Sequence, residues 1–223
     1  MKKYLNWYNK IIKKNKSRVI IKSLNKCKNW IISQHNIKHK SGLFFKVIGI
    51  KVLDPYERET NLISWEQPLI EEVKFGSGLI GMIIKIIDNK IFFLIQAKFE
   101  PGNIFNIQIS PTVQSTFSNI KYNSKKTKFL NYFQSNLLKS KLPRTRISTV
   151  FKKWVSEDGG RFYKKKNLIH IIKVSHNEQI NLPENYIWID ETNLVKLNLL
   201  KKPIVNCHVR SILSFTGYFK RLS

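Results

Sequence analysis

Residues 92–119 read FFLIQAKFEPGNIFNIQISPTVQSTFSN. The segment opens on an apolar run, residues 91–95, and then alternates. Gln96, Lys98 and Glu100 fall on one side and Ala97 and Phe99 on the other. Pro101-Gly102-Asn103 interrupts with turn chemistry. A second alternating run follows, with Asn106, Gln108 and Ser110 on one side and Ile107 and Ile109 on the other. Period two in β-branched and aromatic residues predicts strands, and Pro-Gly between two such runs predicts a reversal of the chain. Two neighbouring strands of this kind have one polar and one apolar face. The polar face could simply meet water, with Lys98 and Glu100 paired as exposed neighbours. It is rich in amides and hydroxyls rather than in long interchangeable charges, which suits an oxygen-rich ligand. Pro111-Thr112-Val113-Gln114-Ser115-Thr116 continues in the same style.

These residues resemble a known family. QAKFEPGN at 96–103, SPTVQST at 110–116 and the following Ser118-Asn119 are similar to the nucleotide-diphospho-hexose (NDP-hexose) 2,3-dehydratases of deoxysugar biosynthesis. Trp65-Glu66-Gln67-Pro68-Leu69 upstream agrees in order, as does SEDGGRFY at 156–163 downstream. Trp188, Val205-Asn206 and Arg210-Ser211-Ile212-Leu213 complete the match, which covers about residues 44 to 215. The match departs at Phe117 and Ile120, where the family has Arg and Tyr, and at Leu168 after Asn167. SEDGGRFY is closer to the family's second half, EPGN and PTVQST to its first. Members are typically about twice this length with two similar halves. The chain therefore resembles a single repeat, and pairing with itself into a homodimer is the simplest expectation.

The resemblance implies a Nudix-like fold, a mixed β-sheet flanked by helices. The residue patterns by themselves predict the α/β or α+β class. The box of clustered Arg and Glu that marks Nudix hydrolases is absent, so no metal is expected. The implied substrate is a dTDP-linked 4-keto-6-deoxyhexose, and the implied reaction, that of a carbon–oxygen lyase, removes water across C2–C3. It needs a base for the C3 hydrogen, a donor to the C4 enolate oxygen and an acid for the leaving C2 hydroxyl. No cofactor is needed for such an elimination. Glu100, at a strand end beside a turn, is the expected base. Lys98 and Arg161 are the expected cations for the enolate or the diphosphate, and Tyr163 could be the acid. Arg161 and Arg210 suit the diphosphate, because guanidinium bonds it in bidentate fashion. Trp65 or Tyr163 could stack on the base. Gln67, Gln96, Asn103 and Gln108 are further candidate substrate contacts. So are Thr112, Gln114, Ser118 and Asn119, and, later in the chain, Asn167 and Asn206.

Forty Lys and Arg against 14 Asp and Glu give a net charge of +26 over 223 residues. Fourteen of the basic residues lie in residues 1–53, which hold no acidic residue. Such charge suits any anionic partner, whether nucleic acid, a membrane surface or a nucleoside diphosphate sugar. Aromatic residues follow core periodicities rather than forming a stacking platform, which argues against stable nucleic-acid binding. A non-catalytic nucleotide-sugar-binding relative stays open as an alternative, with a basic nucleic-acid-binding protein behind it. Cys27 and Cys207, far apart and without a CxxC, imply neither disulfide nor zinc. No apolar run reaches membrane-span length and no signal pattern opens the chain, so a cytoplasmic protein is expected.

Two units are expected: a basic helical extension at 1–40 and the dehydratase-like domain at 41–223. Residues 2–14 predict an amphipathic helix with Leu5, Tyr8, Ile11 and Ile12 on one side, packed on its own domain or on a partner protomer. Residues 27–37 predict a second helical piece. Strands are predicted at 44–52, 65–73, 79–87, 148–155 and 168–174. Turns are predicted at Gly76-Ser77-Gly78 and Asp88-Asn89-Lys90, polar loops at 54–60 and 123–128, and a helix at 127–140 ended by Pro143. Two short helices at 190–200 and 206–216 have Asp190 and Asn206 as N-caps.

Overall fold

The computed structural model describes residues 1–53, 64–72, 77–123, 127–133 and 147–219. The expected loop at 54–60, Val73, Gly76, the second half of the helix at 127–140 and Pro143 lie outside the described residues.

Eleven strands among the described residues form two sheets. The smaller sheet is antiparallel and runs in chain order: β1 (Trp30–Ile32), β2 (Asn36–His39), β3 (Phe45–Leu53) and β4 (Ser64–Glu72). The larger sheet contains β5 (Ser77–Ile87), β6 (Lys90–Phe99), β7 (Ile107–Ser110), β8 (Val113–Thr116), β9 (Ile147–Ser156), β10 (Lys166–Val174) and β11 (Tyr186–Asp190). Its spine has the order β11-β6-β5-β10-β9, with β10 parallel to β5 and the remaining spine pairs antiparallel. The helices are α1 (Lys2–Lys14), α2 (Phe117–Asn123), α3 (Glu191–Asn198), α4 (Cys207–Leu213) and α5 (Thr216–Phe219). This is the mixed α+β class that the residue patterns predict.

The centre of the larger sheet is a fork. β5 and β6 are joined by a two-residue turn, with Asp88 and Asn89 at φ 48° and 57°. Two left-handed residues make a tight hairpin whose twist matches its strands. From that turn the strands pair back only as far as Ile83↔Leu94. Beyond this they part. β7 pairs with β6 (Gln96↔Ser110 to Phe99↔Ile107) and β8 pairs with β5 (Gly78↔Thr116 to Gly81↔Val113). The chain between β7 and β8 is thus a wedge driven into the hairpin. Thr112 sits at its tip, fully buried. Its Oγ1 accepts from Ile83 N at 2.9 Å and donates to Leu94 O, taking over the two backbone groups that the opening fork releases.

The alternation predicted for residues 96–110 is present. Ala97↔Ile109 and Phe99↔Ile107 face one core cluster; Gln96↔Ser110 and Lys98↔Gln108 face the opposite side. Asn106 is the exception. At φ 60° it belongs to the turn, not to the strand. The first cluster is closed by α1 (Tyr4, Tyr8), α3 (Leu194, Leu197) and α4 (Val209, Ile212). The second lies on the other face, beneath Ile120, Leu130 and Phe133. Phe133 reaches that face because β5 has glycine at position 81, where a Cβ would come within 2.7 Å of the ring.

Helix α1 packs on its own domain. Tyr8 donates its hydroxyl to Ile107 O at 2.7 Å, Trp7 Nε1 to Glu184 O at 2.9 Å, and Lys10 and Lys14 pair with Glu184. Leu5, Ile11 and Ile12 pack against the first cluster. Both predicted caps hold: Asp190 accepts from Asn193 N, and Asn206 from Val209 N.

Three expectations are corrected. Residues 27–37 are not helical but form the β1–β2 hairpin, with Trp30 opposite His39, and β2 then pairs with β3 (Asn36↔Ile48). The helical part of residues 1–40 is therefore Lys2–Lys14 and a 3-10 turn at Leu24–Lys26. Ser77 and Gly78 are strand rather than turn, pairing with Lys166 and Asn167. Among residues 127–133 the α-helix gives way to a 3-10 turn at Leu130–Tyr132, entered through Phe129 at φ 61°.

Replacing Thr112 by Val keeps the shape and removes the hydroxyl. Two buried backbone groups then lack partners, at a cost of about 1–3 kcal/mol each. Chemical denaturation should show Thr112→Val less stable than the wild type by about 2–4 kcal/mol. A loss below about 0.5 kcal/mol would mean that the fork closes without the hydroxyl.

His170 gives a second test. It is buried on β10, its Nε2 lies 3.0 Å from Thr149 Oγ1, and Nδ1 has no hydrogen-bond partner among the described residues. Burial, reinforced by the Lys152 charge, lowers its pKa from 6.5 to about 4. The unfolded chain therefore takes up a proton near pH 6.5 that the folded chain refuses until about pH 4. Stability should fall as pH drops through that window, by up to about 3 kcal/mol. Denaturant midpoints from pH 7 to 4 should show this fall in the wild type, and a shallower one in His170→Gln.

Candidate functional site

A cavity of about 560 Å³ opens on the polar side of the fork. β5 supplies Gly78, Leu79 and Ile80; β6 supplies Gln96 and Lys98 and leads to Glu100; residues 112–116 supply the opposing wall. Glu157, Lys165 and Asn167 come from the β9–β10 connection, Asn185 and Tyr186 from the start of β11, and His208 from the first turn of α4. The size and mixed polarity suit a small-molecule ligand.

The floor is held by two groups of hydrogen bonds. Lys98 Nζ lies 2.8 Å from Glu100 Oε1 and donates to Gln114 O at 2.8 Å. Gln114 Nε2 reaches both Glu100 oxygens at 3.2 and 3.3 Å. Asn206 Nδ2 donates to Gln114 Oε1 at 2.7 Å and to Ser110 Oγ at 3.0 Å, while its Oδ1 caps α4. Gln96 Nε2 donates to the Pro111 and Thr112 carbonyls at 2.9 and 3.2 Å. Tyr186 OH lies 3.1 Å from Gln96 Oε1 and 3.3 Å from Thr112 O. Burial pushes the Tyr186 hydroxyl up to about 12, so it stays a neutral donor. Glu100 is fixed at the strand end by Glu100 N to Asn106 O at 2.8 Å, across the predicted Pro-Gly turn.

His208 enters because the segment before α4 docks on β7. Ile109 N donates to Ile204 O at 2.7 Å, and Asn206 N to Ile109 O at 3.0 Å. The imidazole pKa is lowered from 6.5, first by burial. The carboxylates of Glu157 and Glu100 oppose that shift; the charges of Lys165 and Lys98 add to it. The neutral form is therefore the resting one at neutral pH. Lys165 is paired with Glu72 at 3.2 Å, both side chains nearly buried, and Asn167 Nδ2 donates to Glu157 Oε1. Glycine at 78 lets Asn167 approach, since a Cβ there would lie 2.8 Å from its Oδ1.

Of the residues singled out in the sequence, Gln96, Lys98, Glu100, Thr112, Gln114, Asn119 and Asn167 line this cavity. Asn206 lies one bond behind it. Gln108 is turned to Pro203 O at 2.9 Å, and Asn103 to its own turn. Ser118 is buried with its hydroxyl on Thr116 Oγ1. Trp65 and Gln67 are on the smaller sheet, where Trp65 Nε1 donates to Gln67 Oε1 and Gln67 Nε2 to Gly160 O.

Arg161 and Tyr163 are likewise outside the cavity. Their backbone clips the β9–β10 connection to β4: Ile70 N donates to Arg161 O at 2.8 Å, and Tyr163 N to Ile70 O at 2.9 Å. The Arg161 side chain is 80% exposed and pairs with Asp158. Arg210 is on the exposed side of α4. The sequence reading missed His208, Glu157, Lys165 and Tyr186. The Asn206 cap places His208 in the first turn of α4, but only the docking of residues 204–206 on β7 brings it to the cavity. Among the described residues no group of three or more His, Cys, Asp or Glu could hold a metal, and no helix is long and apolar enough to cross a membrane.

The sequence model for NDP-hexose 2,3-dehydratase matches residues 1–216. A dTDP-4-dehydro-6-deoxy-alpha-D-glucopyranose 2,3-dehydratase of Saccharopolyspora spinosa is 32% identical over 184 residues, which is 82% of this chain and 35% of that protein. Proteins of the same name from Streptomyces violaceoruber and Amycolatopsis orientalis are 31% and 28% identical, across 80% and 82% of this chain. The chain spans about a third of the length of these relatives. Among solved structures it is similar to an Ap4A hydrolase of C. elegans, with TM-score 0.39, 10% identity, and coverage of 66% of this chain and 96% of that one. An ADP compounds hydrolase aligns with TM-score 0.34 and 8% identity over 90% of this chain and 98% of that one. On the family match, the chain belongs to the NDP-hexose 2,3-dehydratases.

Proposed function

We propose that this chain removes water across C2–C3 of a dTDP-linked 4-keto-6-deoxyhexose. Family membership supplies the reaction class. The observation that carries the reading is the meeting of a neutral imidazole, a held ammonium and carboxylates in one cavity. In this reading His208 takes the C3 hydrogen as a proton. Lys98, held by Glu100 and the Gln114 carbonyl, faces the C4 oxygen and stabilises the enolate. The enolate electrons then form the C2–C3 double bond as the C2–O bond breaks. The imidazolium returns its proton to the departing hydroxyl, so water leaves and His208 is neutral again. The enol left behind tautomerises to the 3,4-diketo sugar.

Glu100 has a supporting role here. Its carboxylate is engaged by Lys98 and Gln114 and holds the ammonium in place. The acid role expected of Tyr163 passes to His208, since the Tyr163 ring does not line the cavity. The family resemblance further supports a cytoplasmic homodimer, the second part of which light scattering on the purified chain tests.

Incubation of the purified chain with dTDP-4-keto-6-deoxyglucose, followed by mass spectrometry, should show loss of one water. Lys98→Ala should lower the rate about 10²–10³-fold and His208→Gln about 10²–10⁴-fold. Tight binding without water loss would make the protein a non-catalytic nucleotide-sugar binder instead.

The pH dependence has a definite sign. The His208 pKa is lowered, so the base form persists below the ordinary value of 6.5. The acid limb of kcat/KM should therefore lie below pH 6.5 and disappear in His208→Gln. A limb centred above 6.5 would remove His208 from the role of base.

A further inference from the structure

A second cavity of about 360 Å³ adjoins the first, and Thr116 and Asn119 line both. Its character is different: its remaining lining consists of Trp30, His39, Phe44, Phe45 and Glu72. The Trp30 and Phe45 rings are 4.9 Å apart at 43°, and His39 stands edge-on to Trp30 at 5.6 Å and to Phe44 at 5.0 Å. Nothing in the first core clusters includes Trp30 or Phe45, and Phe45 is 38% exposed. These rings are therefore not there to fill a core.

Two further observations single out the place. Phe44 has φ +73°, a left-handed conformation that is strained for an aromatic residue and recurs at ligand clamps. The His39 ring is oriented by Ser41, whose Oγ lies 2.7 Å from Nδ1 and whose N–H donates to the same nitrogen at 3.2 Å. At the border of the two cavities Glu72 pairs with Lys165, which lines the polar one. One ligand that is flat and aromatic at one end and oxygen-rich at the other would fill both.

We propose that the pocket built by the β1–β2 hairpin and the start of β3 binds the nucleobase of the nucleoside diphosphate sugar. This rests on the proposed function and specifies which end of the substrate goes where. The base stacks on Trp30 and Phe45, as flat π-faces do. Its polar edge meets the hydroxyl of Thr116, the amide of Asn119 and the carboxylate of Glu72. The sugar then falls over the Lys98–Glu100 floor next to His208. A basic, acid-free N-terminal segment thus supplies half of the site as well as the helix α1 that braces the core.

The probe is dTDP, which has the base and diphosphate but no sugar. Calorimetric titration should give at least tenfold weaker binding for Trp30→Ala than for the wild type. Trp30→Phe keeps a flat ring and should bind within about threefold of the wild type. The dTDP-induced quenching of tryptophan fluorescence should be lost in Trp30→Phe although binding persists. If Trp30→Ala proves unfolded by circular dichroism, the Trp30→Phe quenching result decides alone. Unchanged affinity in Trp30→Ala, or unchanged quenching in Trp30→Phe, overturns the proposal and leaves the dehydratase reading standing. A wild type that binds neither dTDP nor the nucleotide sugar overturns both.

Discussion

The Thr112 hydroxyl sets the geometry on which the site depends. A β-hairpin can open into a fork only if the backbone groups at the branch point find new partners. At Ile83 and Leu94 both are met by one hydroxyl, accepting from the amide and donating to the carbonyl. Serine could offer the same hydroxyl, but the threonine methyl adds apolar volume where the side chain is fully buried. Once the fork is open, β7 and β8 complete the sheet on either side of it, and the polar residues of β6 and β8 line one hollow. The cavity is thus a consequence of strand pairing, not of a flexible loop.

Buried amides then hold the hollow in shape. Asn206 caps α4 with its oxygen and ties Ser110 and Gln114 together with its nitrogen. One side chain therefore sets both where the helix starts and where His208 in its first turn is aimed. Gln96 does the same for the wedge, clamping the carbonyls of Pro111 and Thr112. Such networks are costly when half satisfied and rigid when complete. That explains why this floor is built of amides and hydroxyls, whereas a solvated strand face carries lysine and glutamate.

The parts legible in the sequence are those whose chemistry is local. Period-two alternation marked β6 and β7 with the right faces, Asp88-Asn89 marked the β5–β6 hairpin, and Asp190 and Asn206 marked two helix starts. What was misread depended on distant partners. Trp30, Ile31 and Ile37 are spaced as in a helix, but Asn36 pairs with Ile48, and the edge of β3 drew the segment into a sheet. SEDGGRFY looked like a ligand-binding block because of its Arg and Tyr. In the fold its backbone fastens β4, and its own Glu157 together with Lys165 just beyond it are the residues that line the cavity. His208 was invisible because only the docking of residues 204–206 on β7 brings it there.

The net charge of +26 becomes intelligible once the site is seen. Two of the cations that line the cavity are paired: Lys98 with Glu100 and Lys165 with Glu72. Fourteen of the 40 basic residues lie in residues 1–53, which have no acidic residue. Charges of that kind do not select a ligand by contact. They raise the local concentration of any anion and its rate of encounter, an effect that weakens as salt screens it. The paired lysines within are different, since each can turn from its carboxylate toward an oxygen of the ligand. Attraction and recognition are thereby divided between the basic surface and the balanced floor.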